Sequence, residues 1–422
     1  MRSKWLEDYR SGFKNTYGVR TIGIEKEFPV INRDNLLAFD VRTIFSDLVS
    51  MGAEPFYDDF YEDEMLGVTL SDKTVVTTDA GWGTLEIALP PLKSIIEAEN
   101  FFNEKIDFLK ELIGRKGGLI LGYGIQPLQP LLASNWVKKR RHAVVCRNFG
   151  CKHDVNATVT AGDQVHLSVD QDEVVRATNV FNWLSGLIIA MHANSPVWQG
   201  KIDDTRLAVR ERMWWFVPDN RHGVFPGPLS GMEDLFARII TMRHLVAKNG
   251  VDFFAPKMSF ARFLEDNPER QFKNELPALE GTLWYCTRPR SMYGTVEIRP
   301  ACCQPRESAM ALSAFCLGIL ENLKEAEIFI DSLYYPWDIA REMREIAMTD
   351  ALNAWIDHLS FQTLASDFLS IASAGLNKRG LGEKRYLIPL EERVFGKKTL
   401  SEELIEIFNE KGLSGLVSRV AY

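Results

Sequence analysis

Two glutamates stand two residues apart in GIEKEFPV, Gly23 to Val30. The segments TLEIALPP, QVHLSVD and TVEIRP follow the same plan, each setting polar side chains against an apolar alternate row. The candidate polar set is Glu25, Glu27, Glu86, Gln164, His166, Glu297 and Arg299. Carboxylates crowded together repel one another unless a cation or a proton intervenes. Oxygen-rich sites suit hard cations such as Mg²⁺ or Mn²⁺, and one histidine among them is tolerated. Such sites usually serve phosphates, where metal neutralises charge on a transferred group. Arg299, always charged, could add a phosphate clamp beside Glu297. No Walker A loop and no GxGxxG leading into a helix is present, so metals and basic side chains would have to hold a nucleotide. The run Lys138-Lys139-Arg140-Arg141-His142, with Arg147 and Lys152, reads either as a phosphate-facing loop or, preferably, as a solvated charge run.

These residues need strands to aim them. Period two sends Glu25 and Glu27 to one face while Ile22, Ile24 and Phe28 point to the other, with Lys26 as the exception. Leu85, Ile87 and Leu89 oppose Glu86; Val165, Leu167 and Val169 oppose Gln164 and His166; Val296 and Ile298 oppose Glu297 and Arg299. Any one of these alternations also fits a half-solvated antiparallel strand. Four together are harder to explain that way, and if they join one sheet Glu25, Glu27, Glu86, His166 and Glu297 share a concave surface. Strand-like and helix-like segments mix without regular βαβ alternation, which favours an α+β fold. A capping box at Ser94-Ile95-Ile96-Glu97 opens a helix that Gly117-Gly118 stops. Further helices are expected over 174–191 and 232–248, the latter ending at Asn249-Gly250, and over 310–323, 338–346 and 401–409. No boundary interrupts the chain. A single catalytic domain over 1–422 is expected, with 305–422 mostly helical.

The chain has 422 residues, 46% of them hydrophobic, and a net charge of -8. That balance argues against a nucleic-acid binder working by broad phosphate neutralisation. The opening MRSKWLEDYRSGFKNTYG lacks an apolar leader, and the apolar run Trp183 to Ala193 is too short to span a bilayer. A cytoplasmic, reducing setting with free thiols is expected, with no membrane or nucleic-acid partner and a homodimer allowed. Cys146, Cys151, His142 and His153 lie close together, but their spacing matches no standard zinc framework, and ordinary cysteines are the preferred reading.

The four motifs in this order resemble the glutamate–cysteine ligase family 2, carboxylate–amine ligases with a glutamine-synthetase-like fold. GIEKEF matches the family's G-x-E-x-E-[FL] strand. Ala193-Asn194-Ser195-Pro196 with Trp198 and Gly200 matches a further family segment, followed by Arg206, Arg210 and Arg212. The resemblance implies a curved antiparallel sheet with helices on its convex side and ATP with Mg²⁺ (or Mn²⁺) on the concave side. It implies activation of a carboxylate, typically the γ-carboxylate of glutamate, as an acyl phosphate, then attack by an amine such as cysteine. Carried over, Glu25, Glu27, Glu86, His166 and Glu297 are metal candidates, and Glu27, Glu297 and Arg299 the catalytic ones. Gln164 and Arg299 would touch the nucleotide; Arg210, Arg212, Arg290 and Asn194 are candidates for substrate. Two departures stand out: Ala301-Cys302-Cys303 where many members carry an acidic residue, and Gln164 where some carry a histidine. Two other readings share the scaffold: a guanidino phosphotransferase, whose product has no amide, and a non-catalytic metabolite sensor, which would tolerate loss of metal carboxylates.

Overall fold

The computed structural model describes residues 2–14, 19–57, 64–137, 139–149, 156–217, 221–250 and 252–422, with backbone alone at 140–142, 148, 149, 215 and 216. At its centre lies a nine-stranded sheet. Its strands are β1 (Ile22–Asn32), β2 (Glu54–Tyr57), β3 (Met65–Thr69), β4 (Val75–Thr78), β5 (Thr84–Ala88), β6 (Gly118–Ile120), β7 (Gly162–Ser168), β8 (Thr287–Arg290) and β9 (Thr295–Cys302). The order is β8-β9-β7-β1-β5-β4-β3-β2, with β6 beside β1. Every pairing is antiparallel. Mixed helix and antiparallel sheet make this an α+β fold.

The four motif strands are therefore immediate neighbours. Glu27 lies opposite Glu86, Glu25 opposite Gln164, and His166 opposite both Gly23 and Glu297. Directly opposed residues share a face, so one register gathers the whole polar set. The other face carries Ile22, Ile24, Phe28, Leu85, Val165 and Ile298, all buried. Phe28 packs on Phe102 and on Tyr422, which ties β1 to the Ile95–Arg115 helix and to the end of the chain. Lys26 is accommodated on this oily face by an ion pair 2.6 Å long to Asp163, its partner across β7. A buried charge is tolerable only when paired in this way.

Strand β9 has an irregular register between Ile298 and Ala301, which brackets Pro300. Proline has no N–H to give the ladder, so it sits where the ladder is broken. That irregularity includes Arg299 and belongs to the site described below.

Three helical expectations need adjustment. Ser94 does cap the Ile95–Arg115 helix by accepting the Glu97 N–H, but the Glu97 carboxylate accepts from the Lys93 N–H, one residue further out. The 174–191 segment is two helices, Val174–Trp183 and Ser185–Met191, bent by 54°. Asn182 donates to the carbonyls of Thr178 and Thr287 at the break. Beyond it, Gly186 lies where a Cβ would come within 2.7 Å of the Met343 backbone. The helix expected over 232–248 stops at Thr241. Met242 is extended, and His244 is buried between the rings of Phe260 and Phe263, while Ala247–Asn249 pairs as a strand with Asp252–Phe254. Tertiary packing there overrides local helix propensity.

After Pro305 the helices are Ala311–Glu321, Leu323–Ser332, Ile339–Asp350, Phe361–Arg379, Ile388–Gly396 and Leu400–Val420, the last with a non-helical Gly412. No single helix among the described residues is long and apolar enough to cross a membrane.

Candidate active site

The polar face has two unlike ends. At one end, Glu27 is buried and accepts from the Gly162 N–H at 2.7 Å and the Gln164 amide at 2.6 Å. Burial, with the Asp79 carboxylate nearby, still lifts its pKa to about 8. Burial and the charges of Glu25 and Asp79 push Glu86 well above the usual carboxylate range, with Lys139 opposing. Glu25 is raised too, first by burial and then by Glu297. These are carboxylates short of positive charge, the donor type that hard divalent cations take, although among the described residues no three such side chains are drawn close enough together to hold an ion.

Asp79 escaped the sequence reading. It follows β4, where Thr77 lies opposite Glu86. The signal was there: Thr77 and Asp79 keep the period of two in VVTTDA. Lys139, from the basic run, turns inward and donates to the Thr78 carbonyl at 2.8 Å. Lys138 and Lys152 lie outside the described residues, as do the side chains of Arg140, Arg141 and His142, while Arg147 is exposed.

At the other end, Glu297 is buried under three guanidinium groups. Arg288 grips it with two bonds of 2.8 and 2.9 Å, Arg290 adds one of 2.7 Å, and Arg299 bridges it to Gln164. Burial alone would raise the Glu297 pKa, but Arg288, Arg299 and Arg290 hold it well below the usual range. His166 stands between the two ends. Its Nε2 is 3.9 Å from both Glu25 and Glu297, and Nδ1 is 3.2 Å from the Thr295 hydroxyl. Burial lowers its pKa to about 4 despite Glu297, so the ring is neutral and has a lone pair for a metal.

Arg210 approaches from beneath. Its guanidinium lies so close to Gly162 that a Cβ there would collide with it. It pairs with Glu211, and its charge opposes the rise at Glu27. Two other substrate candidates stand apart from the cluster. Arg212 points outward to Asp203 at 3.4 Å, with 40% of its side chain exposed. Asn194 is fully buried and donates to the carbonyls of Gly122 and Cys303, which makes it a brace for the backbone. Arg290 lies on the ring of Tyr293 while holding Glu297 through one nitrogen.

The cysteines divide. Cys286, Cys302, Cys303 and Cys316 are buried free thiols, whereas Cys146 is disulfide-bonded, contrary to the expectation of free thiols throughout. Cys151 and His153 lie outside the described residues.

Comparison with known proteins agrees with this architecture. Residues 21–411 match the family model described as glutamate-cysteine ligase family 2. Glutamate–cysteine ligase A, chloroplastic, of Oryza sativa subsp. indica is 25% identical over 382 residues, covering 86% of this chain and 76% of that protein. Glutamate–cysteine ligase of Halobacterium salinarum is 26% identical over 288 residues, covering 66% of this chain and 63% of that one. The crystal structure of glutamate–cysteine ligase from Francisella tularensis in complex with AMP superposes with a TM-score of 0.54 at 13% identity, over 95% of this chain and 88% of that one. The chain belongs to glutamate–cysteine ligase family 2 and, with that family, to the ATP-dependent C–N ligases.

Proposed function

We propose that this enzyme joins the γ-carboxylate of glutamate to an amine such as cysteine, by way of an acyl phosphate, on the polar face of the sheet. The observation that carries this reading is the contrast in charge along that face. Burial and mutual repulsion raise the pKa values of Glu25, Glu27 and Glu86, while three arginines surround Glu297, two strands over from β1. The first end suits divalent cations; the second suits the anionic groups that change hands. The sheet is read as the curved catalytic type, with nucleotide on its concave side and helices behind.

Glu25, Glu27, Glu86 and His166 would hold Mg²⁺ or Mn²⁺, which when bound neutralises phosphate charge. The donor types suit such an ion, being mostly carboxylate with one neutral imidazole, and the side chains would have to draw together around it. Glu297 contributes to a metal only if one of its arginines turns away, so its first role is to position Arg299. In the first step a carboxylate oxygen attacks the γ-phosphorus of ATP and ADP leaves. In the second the amine nitrogen attacks the activated carbonyl, phosphate leaves, and the nitrogen gives up a proton. Arg299, held by Glu297 and Gln164, faces the charge that develops on the phosphoryl oxygens. Gln164 orients both Glu27 and Arg299 through its two amide ends.

The test is release of ADP and phosphate from purified protein over a panel of acid and amine pairs. Turnover should require Mg²⁺ or Mn²⁺, an acid and an amine together, with an amide of matching mass as product. Rapid turnover without any divalent cation, or a phosphorylated product with no amide, overturns the proposal.

A further inference from the structure

On the opposite side of the sheet from the carboxylates, a cavity of about 400 Å³ opens between the Ile95–Arg115 helix and the start of the C-terminal helices. Phe102, Met310 and Pro389 give it apolar walls. Arg306 and Arg385 bring two positive charges to its lining, and Glu99 and Glu307 two negative ones. A ligand of one sign would meet repulsion from half of this lining. A ligand with both signs meets partners for each.

The charged side chains are already paired, at the surface. Arg306 bonds to Asp107, Glu307 to Arg419, and Arg385 to the Tyr386 hydroxyl, which itself donates to Glu99. Arg306 and Arg385 are 40% and 55% exposed in their side chains. Exposed pairs of this kind are screened by water, so a ligand can exchange them.

The walls also touch the back of the candidate active site. The Lys26 ammonium donates to the Ala309 carbonyl at 3.1 Å and lies 5.5 Å from the centroid of the Phe102 ring. Both residues line the cavity. Lys26 is the residue between Glu25 and Glu27, and its ion pair to Asp163 spans β1 and β7. Asp163 lies between Gly162 and Gln164, the two residues that bond Glu27.

We propose that this cavity is a second binding site, for a zwitterionic amino acid or short peptide, whose occupancy is felt at Glu25 and Glu27 through Lys26. The binding does not depend on which reaction the polar face performs, so its failure and the failure of that assignment are separate results.

Saturation-transfer NMR on the full chain tests it, with free amino acids and γ-glutamyl dipeptides as probes and acetate and methylamine as single-charge controls. At least one zwitterion should bind both the wild type and Glu27→Gln, and bind about tenfold more weakly to Arg385→Ala. Arg306→Ala, also on the surface, should weaken the same probe. Backbone amide shifts of Glu25 and Glu27 should move on binding in the wild type and stay still in Arg385→Ala. The proposal is overturned if no zwitterion binds at millimolar concentration or if the single-charge controls bind equally well. It is also overturned if Glu27→Gln abolishes binding while Arg385→Ala leaves it unchanged, or if the amides of Glu25 and Glu27 do not respond to a ligand that binds.

Discussion

Glu297 and Glu27 are both buried carboxylates on one face of one sheet, two strands apart, and their surroundings pull them in opposite directions. Glu297 meets Arg288, Arg290 and Arg299 and is held ionised. Glu27 accepts two neutral N–H bonds, has Asp79 and Glu25 for neighbours, and is pushed up to about 8. The protein has compensated one carboxylate internally and left the other to be compensated from outside. Burying charge without a partner is costly, so a site that leaves it so is poised for a cation or a proton.

The comparison is tested most severely at the arginine end. Arg288→Met would strip two charge-assisted bonds from the buried Glu297, leaving Arg290 and Arg299 to hold it, and should destabilise the protein by about 3 kcal/mol or more, at roughly 1.5–3 kcal/mol per bond to a charged group. Glu86→Gln removes a carboxylate that its neighbours already disfavour, and should leave the stability of metal-free protein unchanged or raised. Urea unfolding of both variants measures the contrast. If Glu86→Gln is the more damaging of the two, the division into a compensated and an uncompensated end is wrong.

Glu27→Gln keeps a polar group of the same shape. It should lower kcat/KM about a hundredfold or more, since even indirect disturbance of a metal site costs 10–100-fold. The metal-free Tm should hold or rise. A fall in activity accompanied by a fall in Tm would make Glu27 a structural residue instead.

The pH dependence of metal-free protein follows from the same residue. Glu27 titrates at about 8 in the folded state against an ordinary value of 4.5. Between these values the folded chain holds the proton and the unfolded chain has lost it. Stability is therefore fully present below about pH 4.5, and this contribution declines as pH rises until the folded group has also ionised near pH 8. The Tm should fall across that window, and Mg²⁺ should restore several degrees at the upper end by binding only the folded form. Glu27→Gln should flatten the decline. A decline of equal depth in that variant would assign it to other groups.

Much of this site was legible as alternation. Period two placed Glu25, Glu27, Glu86, His166 and Glu297 on common faces, and the antiparallel register then had only to align four strands. What alternation could not convey was the register itself, and so which residue stands opposite which. Arg288 and Glu297 meet across the β8–β9 hairpin, and that pairing turns a presumed metal ligand into the anchor of an arginine cluster. Asp79 was missed because it follows a strand too short to draw notice. The helix expected over 232–248 failed for another reason: the apolar spacing continues, but buried His244 is seated by residues from other segments. Asn194 was drawn into the substrate set by a motif, although Asn-Ser-Pro also serves as a turn.

The smallest effect separates two arginines that motif matching treats alike. Arg210 is buried against Glu211, and its charge acts on Glu27; Arg212, two residues on, points to Asp203 at the surface. Arg212→Ala removes one long, partly exposed pair and should change stability by no more than about 0.5 kcal/mol. It should leave kcat and KM for both acid and amine within about threefold of wild type, a shift of roughly 0.6 kcal/mol in transition-state free energy. Arg210→Lys keeps the charge but loses the planar fork packed under Gly162, and should shift the metal concentration that half-saturates turnover. Steady-state kinetics of the two variants at several Mg²⁺ concentrations decide the matter. A rise in KM confined to one substrate in Arg212→Ala would return that residue to the binding set and extend the site beyond the sheet face.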